Sequence, residues 1–360
     1  MKKSFNQLAA SWLVLIFWSA SLCFAANTGQ QSPPIKLGTS GSNVKDINAS
    51  FCCTGTLGSL VKDKNGNQYI LSNNHVLARS NAGKAGEVIM QRGYVDTVPT
   101  CSKSGTINVA NLTKFVKLNF AGGNNTVDAA IAKVISGKVN TMGTILQIGT
   151  VSSTPVNPSV GLGVEKSGRT TSKTTGKIGA INVTVTVSGY GPCGMGTSTA
   201  TFVKQFLINS STFSAGGDSG SLIATQPAAG KKPNPVGLLF AGSSTSTIAN
   251  PIKSVLTALG VSFVGTAPEA EMETPMDPEL ERVSQVKDRY DDYLLHLPGV
   301  MGHGVALSQD GSGRPVIVLF LKDSHVQVEN LPTTVEGVPV ETLETGEFRT
   351  RINCTHTPAK

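Results

Sequence analysis

An all-β body followed by a small α+β unit is the fold class that the sequence predicts, on three observations. Short Val-, Ile-, Leu- and Thr-rich runs separated by Gly and Asn turns fill the chain from Cys53 to about residue 265, the pattern of strands joined by tight turns. Lys64-Asn65-Gly66-Asn67 lies between two such runs, and Asn-Gly there favours a hairpin. After a Pro-, Glu- and Met-rich stretch at 268–278 the pattern changes to one long charged amphipathic segment and then further strands.

Taken in order, residues 1–25 form a secretory signal. Lys2 and Lys3 supply the basic start, Leu8 to Phe17 the apolar core, and Ala25 the small residue at a cleavage site. No other run is long enough to span a bilayer, so no stable membrane insertion is expected after cleavage. Residues 26–50 are rich in Gly, Ser, Gln and Pro and read as a linker or arm. The β body, 51–265, begins with a hairpin of 54–62 and 68–72 that delivers His75 at its end. Strands are then expected at 127–135, 145–148, 163–167, 177–187, 202–208, 221–224 and 236–241. Residues 252–259 alone have apolar positions at helical spacing. Residues 266–278 read as a linker. The unit at 279–360 follows as a helix over 278–297, strands at 302–307 and 315–321 around Asp310-Gly311-Ser312-Gly313, a helix at 326–331 and a strand at 338–343.

Signal removal leaves Cys52, Cys53, Cys101, Cys193 and Cys354. An exported chain meets an oxidising compartment, periplasmic or extracellular, so disulfides are expected with one thiol left over. Cys101 pairs with Cys52 or Cys53 in this reading, since both options lie in one sub-domain. No histidine or second cysteine pair stands at zinc-ligand spacing, and no metal or cofactor is called for. The net charge of +7 divides unevenly, +13 over 26–267 and −8 over 268–360. Opposed charges attract, so docking of the acidic C-terminal region on the basic body is an expectation. Scattered lysines without an interleaved aromatic stripe argue against a nucleic-acid partner.

Chemistry enters at Gly216-Gly217-Asp218-Ser219-Gly220-Ser221. Glycines there let the backbone turn tightly, exposing a serine hydroxyl while main-chain N–H groups aim at the same spot. A serine hydroxyl needs a base within hydrogen-bond reach, and His75 is the single histidine between residues 26 and 215. The base needs a carboxylate to hold its tautomer and stabilise the imidazolium. Asp128 lies in an apolar, strand-like run where an unpaired acid is costly to bury. Asp96 is the rival, in a segment whose Pro99 and polar neighbours read as a loop. Each residue also has a structural reading alone: a turn at Gly-Asp-Ser-Gly, a strand-end histidine, a strand-end acid. Together they make a nucleophile, base and orienting acid.

At these residues the chain resembles the trypsin-like serine proteases of bacteria. The order His75, Asp128, Ser219 is the chymotrypsin order. Ser72-Asn73-Asn74-His75-Val76 resembles the histidine motif of HtrA-type proteases. Lys166 to Thr171 with Gly176 to Val185 is similar to the start of the second barrel in streptogrisin and α-lytic proteases. The resemblance covers about residues 50–262 and implies a chymotrypsin-like double antiparallel β-barrel, followed here by the small α+β domain. It also implies an oxyanion hole from the N–H groups of Gly217 and Ser219. By the same analogy the specificity pocket has its base at Phe213 and Ser214 and its wall at Phe240, Ala241 and Gly242. No acid stands there, so a neutral, small or medium apolar residue is expected at the cleaved bond. No cysteine stands directly after His75 and no Ile-Val-Gly-Gly start is present. The C-terminal region opens with a long helix and lacks a clear carboxylate-binding loop, so it is not read as a PDZ domain.

The expected activity is hydrolysis of protein or peptide bonds through an acyl-enzyme. The alternative is a catalytically silent binding or scaffold module that keeps the protease fold.

Overall fold

The computed structural model describes residues 27–192, 196–264 and 277–357. The signal segment, Cys193 and most of the 266–278 linker lie outside the described residues. Two β-sheets dominate, and together they make a chymotrypsin-like double barrel. In the first, the antiparallel order runs Ser59–Lys62, Gln68–Ser72, Ala130–Val134, Ile107–Phe115, Val88–Gln91, Thr39–Asn43, Phe51–Leu57. In the second, Ser172–Tyr190, Gly163–Gly168, Leu222–Thr225, Pro235–Gly242, Ser246–Pro251 and Ser198–Asn209 follow one another. The last of these pairs back onto Ser172–Tyr190 and closes the ring.

Alternation puts apolar side chains inside each barrel. Leu57, Leu60, Ile70, Leu71, Ile89, Leu112 and Ile131 fill the first, and Val164, Ile178, Phe206, Ile208, Ile223 and Leu239 the second. The helix Ile252–Leu259 covers the first core with Ile252, Val255, Leu256 and Leu259, ending at Gly260 in a left-handed cap.

Several expectations are corrected. The 26–50 arm contains the strand Thr39–Asn43, bonded on both sides within the first sheet. Its small polar side chains carry no hydrophobic signal, yet Ser40 and Ser42 are buried with their hydroxyls bonded to Asp96 and to Cys53 O. Residues 145–148 form a turn rather than a strand, held by Ile145 N–H to Gly149 O and Gly149 N–H to Ile145 O. The 278–297 helix divides into Pro278–Arg289 and Asp291–Leu295, and 326–331 yields only a 3₁₀ turn at Val328–Asn330.

Nor is the α+β unit separate. Val300–Leu307 pairs antiparallel with Ser172–Tyr190, with Thr184 opposite His303 and Val185 opposite Gly302. That extends the second sheet through Pro315–Leu321 to Val338–Glu344. Val283, Val286 and Leu294 of the two helices share a core with Phe206 and Leu239. The helices are also fastened by polar contacts: Asn182 Nδ2 donates to Asp288 at 2.9 Å, Thr184 Oγ1 to Asp291 at 3.0 Å, and Lys204 pairs with Asp288.

Candidate active site

His75 sits in a one-turn helix, Asn74–Leu77, directly after Gln68–Ser72. Its two preceding asparagines fix that turn. Asn73 Nδ2 donates to Asp128 O at 2.7 Å and Asn74 Nδ2 to Val116 O at 2.7 Å. Asp128 lies two residues ahead of Ala130–Val134, and its carboxylate grips His75 twice. Oδ2 stands 2.5 Å from the ring Nδ1, and Oδ1 accepts the His75 backbone N–H at 3.2 Å. The Asp128 backbone N–H donates to Asn250 Oδ1 at 3.0 Å.

Tyr190, at the far end of the Ser172–Tyr190 strand, donates its hydroxyl to Asp128 Oδ2 at 2.9 Å. Burial, and then the negative charge of Asp128, push the Tyr190 phenol well above its ordinary range, so it is a donor at any working pH. Asp96, the rival acid, is instead engaged by Arg169, at 2.8 Å from Nε and 2.5 Å from Nη2, and by Ser40.

The Gly216–Ser221 loop hangs from both barrels. Thr56 of the first barrel donates its backbone N–H to Ser219 O at 2.8 Å and its hydroxyl to Gly217 O at 2.8 Å, while Gly220 N–H donates to Leu239 O at 2.9 Å. Asp218 is fully buried and accepts from Thr170 N, Thr171 Oγ1 and Ala215 N at 2.7–2.9 Å. Lys166 stands 3.7 Å from the same carboxylate. Burial pulls the Lys166 ammonium down to about 8, with Asp218 opposing. Gly217 has φ +103°, and a Cβ there would lie 2.6 Å from Arg169 Nη1, so glycine is required. This backbone turns the Gly217 and Ser219 N–H groups toward one carbonyl oxygen, at 2.5 and 3.0 Å, contributed by Arg351.

Ser219 Oγ donates to Phe240 O at 3.0 Å, and the buried Nε2 of His75 has no partner. Of the pocket residues read by analogy, Phe213 is buried and its carbonyl accepts from Thr174 Oγ1 at 2.7 Å; Ser214 Oγ is 2.6 Å from Thr247 Oγ1. Phe240, Ala241 and Gly242 form a strand edge whose neighbour is the chain's own Phe348–Thr350. Cys52 is disulfide-bonded to Cys101, and Cys53 to Cys354. Tyr190, Asn250, Lys166 and Arg351 had not been read from the sequence as parts of the site. The Asn73-Asn74 pair directly before His75 was the signal available.

A family described as the Nal1 C-terminal domain matches residues 106–253, the stretch that carries Asp128 and Ser219 but not His75. No curated protein matches the chain in sequence. Among solved structures, a glutamic acid specific serine protease is 24% identical, covering 64% of this chain and 100% of its own, with a TM-score of 0.43. Thermobifida fusca protease A is 17% identical over 64% of this chain and 99% of its own, TM-score 0.41. Cellulomonas bogoriensis chymotrypsin is 19% identical over 64% and 99%, TM-score 0.39. These neighbours are bacterial serine proteases of chymotrypsin fold. Likeness of this degree says nothing about activity.

Proposed function

We propose that the chain is an exported serine endopeptidase that works through an acyl-enzyme. One observation carries the reading: the N–H groups of Gly217 and Ser219 converge on one carbonyl oxygen beside the Ser219 hydroxyl, and the same fold holds a buried His75–Asp128 pair whose Nε2 is free to serve as base. In this mechanism His75 Nε2 takes the proton of Ser219 as the hydroxyl attacks the substrate carbonyl. Asp128 holds the tautomer that leaves Nε2 free, and Gly217 and Ser219 N–H stabilise the oxyanion. Protonated His75 then delivers its proton to the departing amine, and water hydrolyses the ester by the same route in reverse. Export accounts for two disulfides.

A fluorophosphonate probe tests the assignment. It should label the wild type and leave Ser219→Ala unlabelled; equal labelling of both would sink it. The second reading, a silent module, is favoured by one contact, the bond from Ser219 Oγ to Phe240 O in place of His75. Casein turnover by the activated protein separates the two.

A further inference from the structure

The oxygen held by Gly217 and Ser219 belongs to the C-terminal segment, and the surrounding contacts are those of a peptide lying in the cleft. Arg351 N–H donates to Phe240 O at 3.0 Å while its carbonyl receives both oxyanion donors. Upstream, Phe348–Thr350 runs antiparallel to Pro235–Gly242, with Thr350 opposite Ala241 and Arg349 opposite Gly242. Its other edge runs parallel to Ser172–Tyr190. Downstream, Asn353–His356 pairs antiparallel with Phe51–Leu57, and Cys354 is bonded to its register partner Cys53. The segment therefore crosses from the second barrel to the first over the nucleophile. Ser219 is 0% exposed and His75 2%.

The Arg351 side chain fits because Gly242 has none: a Cβ there would lie 2.6 Å from Arg351 Nε. Its Nη2 donates to Ser243 O. Burial lowers the guanidinium's basicity, with the Asp218 charge opposing. A main-chain carbonyl thus receives the cation in a pocket where the sequence offered no acid and where an apolar residue had been expected.

We propose that residues 348–354 are a tethered occupant of the substrate cleft, seated as a peptide substrate sits, with Arg351 supplying the acyl carbonyl, and that they hold the exported chain latent until displaced. This rests on the hydrolase reading above. A segment anchored at both ends competes at an effective concentration of about millimolar or more, which free peptide rarely reaches. Cleavage alone does not empty the site. If Ser219 Oγ bonds to the Arg351 carbon, the C–N bond to Ile352 breaks and the hydroxyl proton passes through His75 to the Ile352 amine. The Cys53–Cys354 bond keeps that amine beside the ester, placed to re-form the peptide bond before water intervenes.

The experiment measures fluorophosphonate labelling rates on the full mature chain: wild type, Arg351→Asp, Cys53→Ser/Cys354→Ser and Ser219→Ala. An acid at 351 would face the Asp218 charge, and the double variant unfastens the downstream anchor. Both should label at least about tenfold faster than wild type, the scale of a lost intramolecular advantage, and Ser219→Ala not at all. Wild-type labelling as fast as both variants, with Ser219→Ala silent, would overturn the latency and leave the hydrolase reading standing. No labelling of any form, or undiminished labelling of Ser219→Ala, would bring down both. Arg351→Ala, which keeps every main-chain bond of the segment, replaces Arg351→Asp if circular dichroism shows that variant unfolded, with the same two outcomes.

Discussion

Tyr190 and His75 share one oxygen. The Tyr190 hydroxyl donates to Asp128 Oδ2 at 2.9 Å, the same atom that stands 2.5 Å from His75 Nδ1. The carboxylate is thereby aimed from a second barrel strand as well as by its own. Tyr190→Phe, measured in the Cys53→Ser/Cys354→Ser form so that the cleft is open, should lower kcat about tenfold with KM unchanged, since a hydrogen bond to a charged group contributes about 1.5–3 kcal/mol. Unchanged kcat would reduce Tyr190 to packing.

Asp128→Asn keeps the shape of the acid and removes its charge. In the open form it should cut turnover by about four orders of magnitude, the scale seen when a triad acid becomes an amide and the base takes the wrong tautomer. Asp96→Asn should leave kcat within about threefold, because Asp96 belongs to Arg169 and Ser40, though it should lower the unfolding midpoint by breaking a buried ion pair. Kinetics and urea melts on the pair decide which acid serves the base.

Peptide preference is testable in the same open form. Arginine at the cleaved bond should be turned over about tenfold faster than alanine, the discrimination of one to three kcal/mol that a filled pocket gives. The reverse order would restore the apolar expectation drawn from Phe213 and Ser214.

A buried histidine predicts acid sensitivity of stability rather than of catalysis. His303 is fully buried, with Nε2 donating to Asp291 O at 3.1 Å. Desolvation and the Lys287 charge lower it from 6.5 to about 4, against the pull of Asp291 and Asp288. The unfolded chain therefore takes up this proton first as the pH falls. Stability present above about pH 6.5 is lost as the pH drops toward 4. Between pH 7 and 4.5 the loss should be about 2 kcal/mol, and His303→Gln should shrink that difference in urea melts. An equal pH dependence in the variant would place the acid sensitivity elsewhere.

The β body was legible because its strands alternate and its turns carry Asn and Gly, and Ser219, His75 and Asp128 stood out as candidates because each is chemically conspicuous in its run. Thr39–Asn43 was not: five small or polar residues form a strand only because neighbours on both sides accept them. Pairing of Val300–Leu307 with Ser172–Tyr190 joins residues more than a hundred apart, and no local pattern encodes which edge a strand will choose. Arg351 had no signal at all. Its place depends on Gly242 and on two anchors flanking it, neither of which marks an arginine in a polar tail as special.

Chain order gives the tail a further consequence. Residues 348–356 follow both barrels in the chain, whose ring strands are complete by Pro251. Cys53 must therefore wait for a partner 301 residues later in the sequence. On the latency proposal this gives access to Ser219 a timetable: open until the later segment has been threaded and oxidised onto Cys53, closed afterwards.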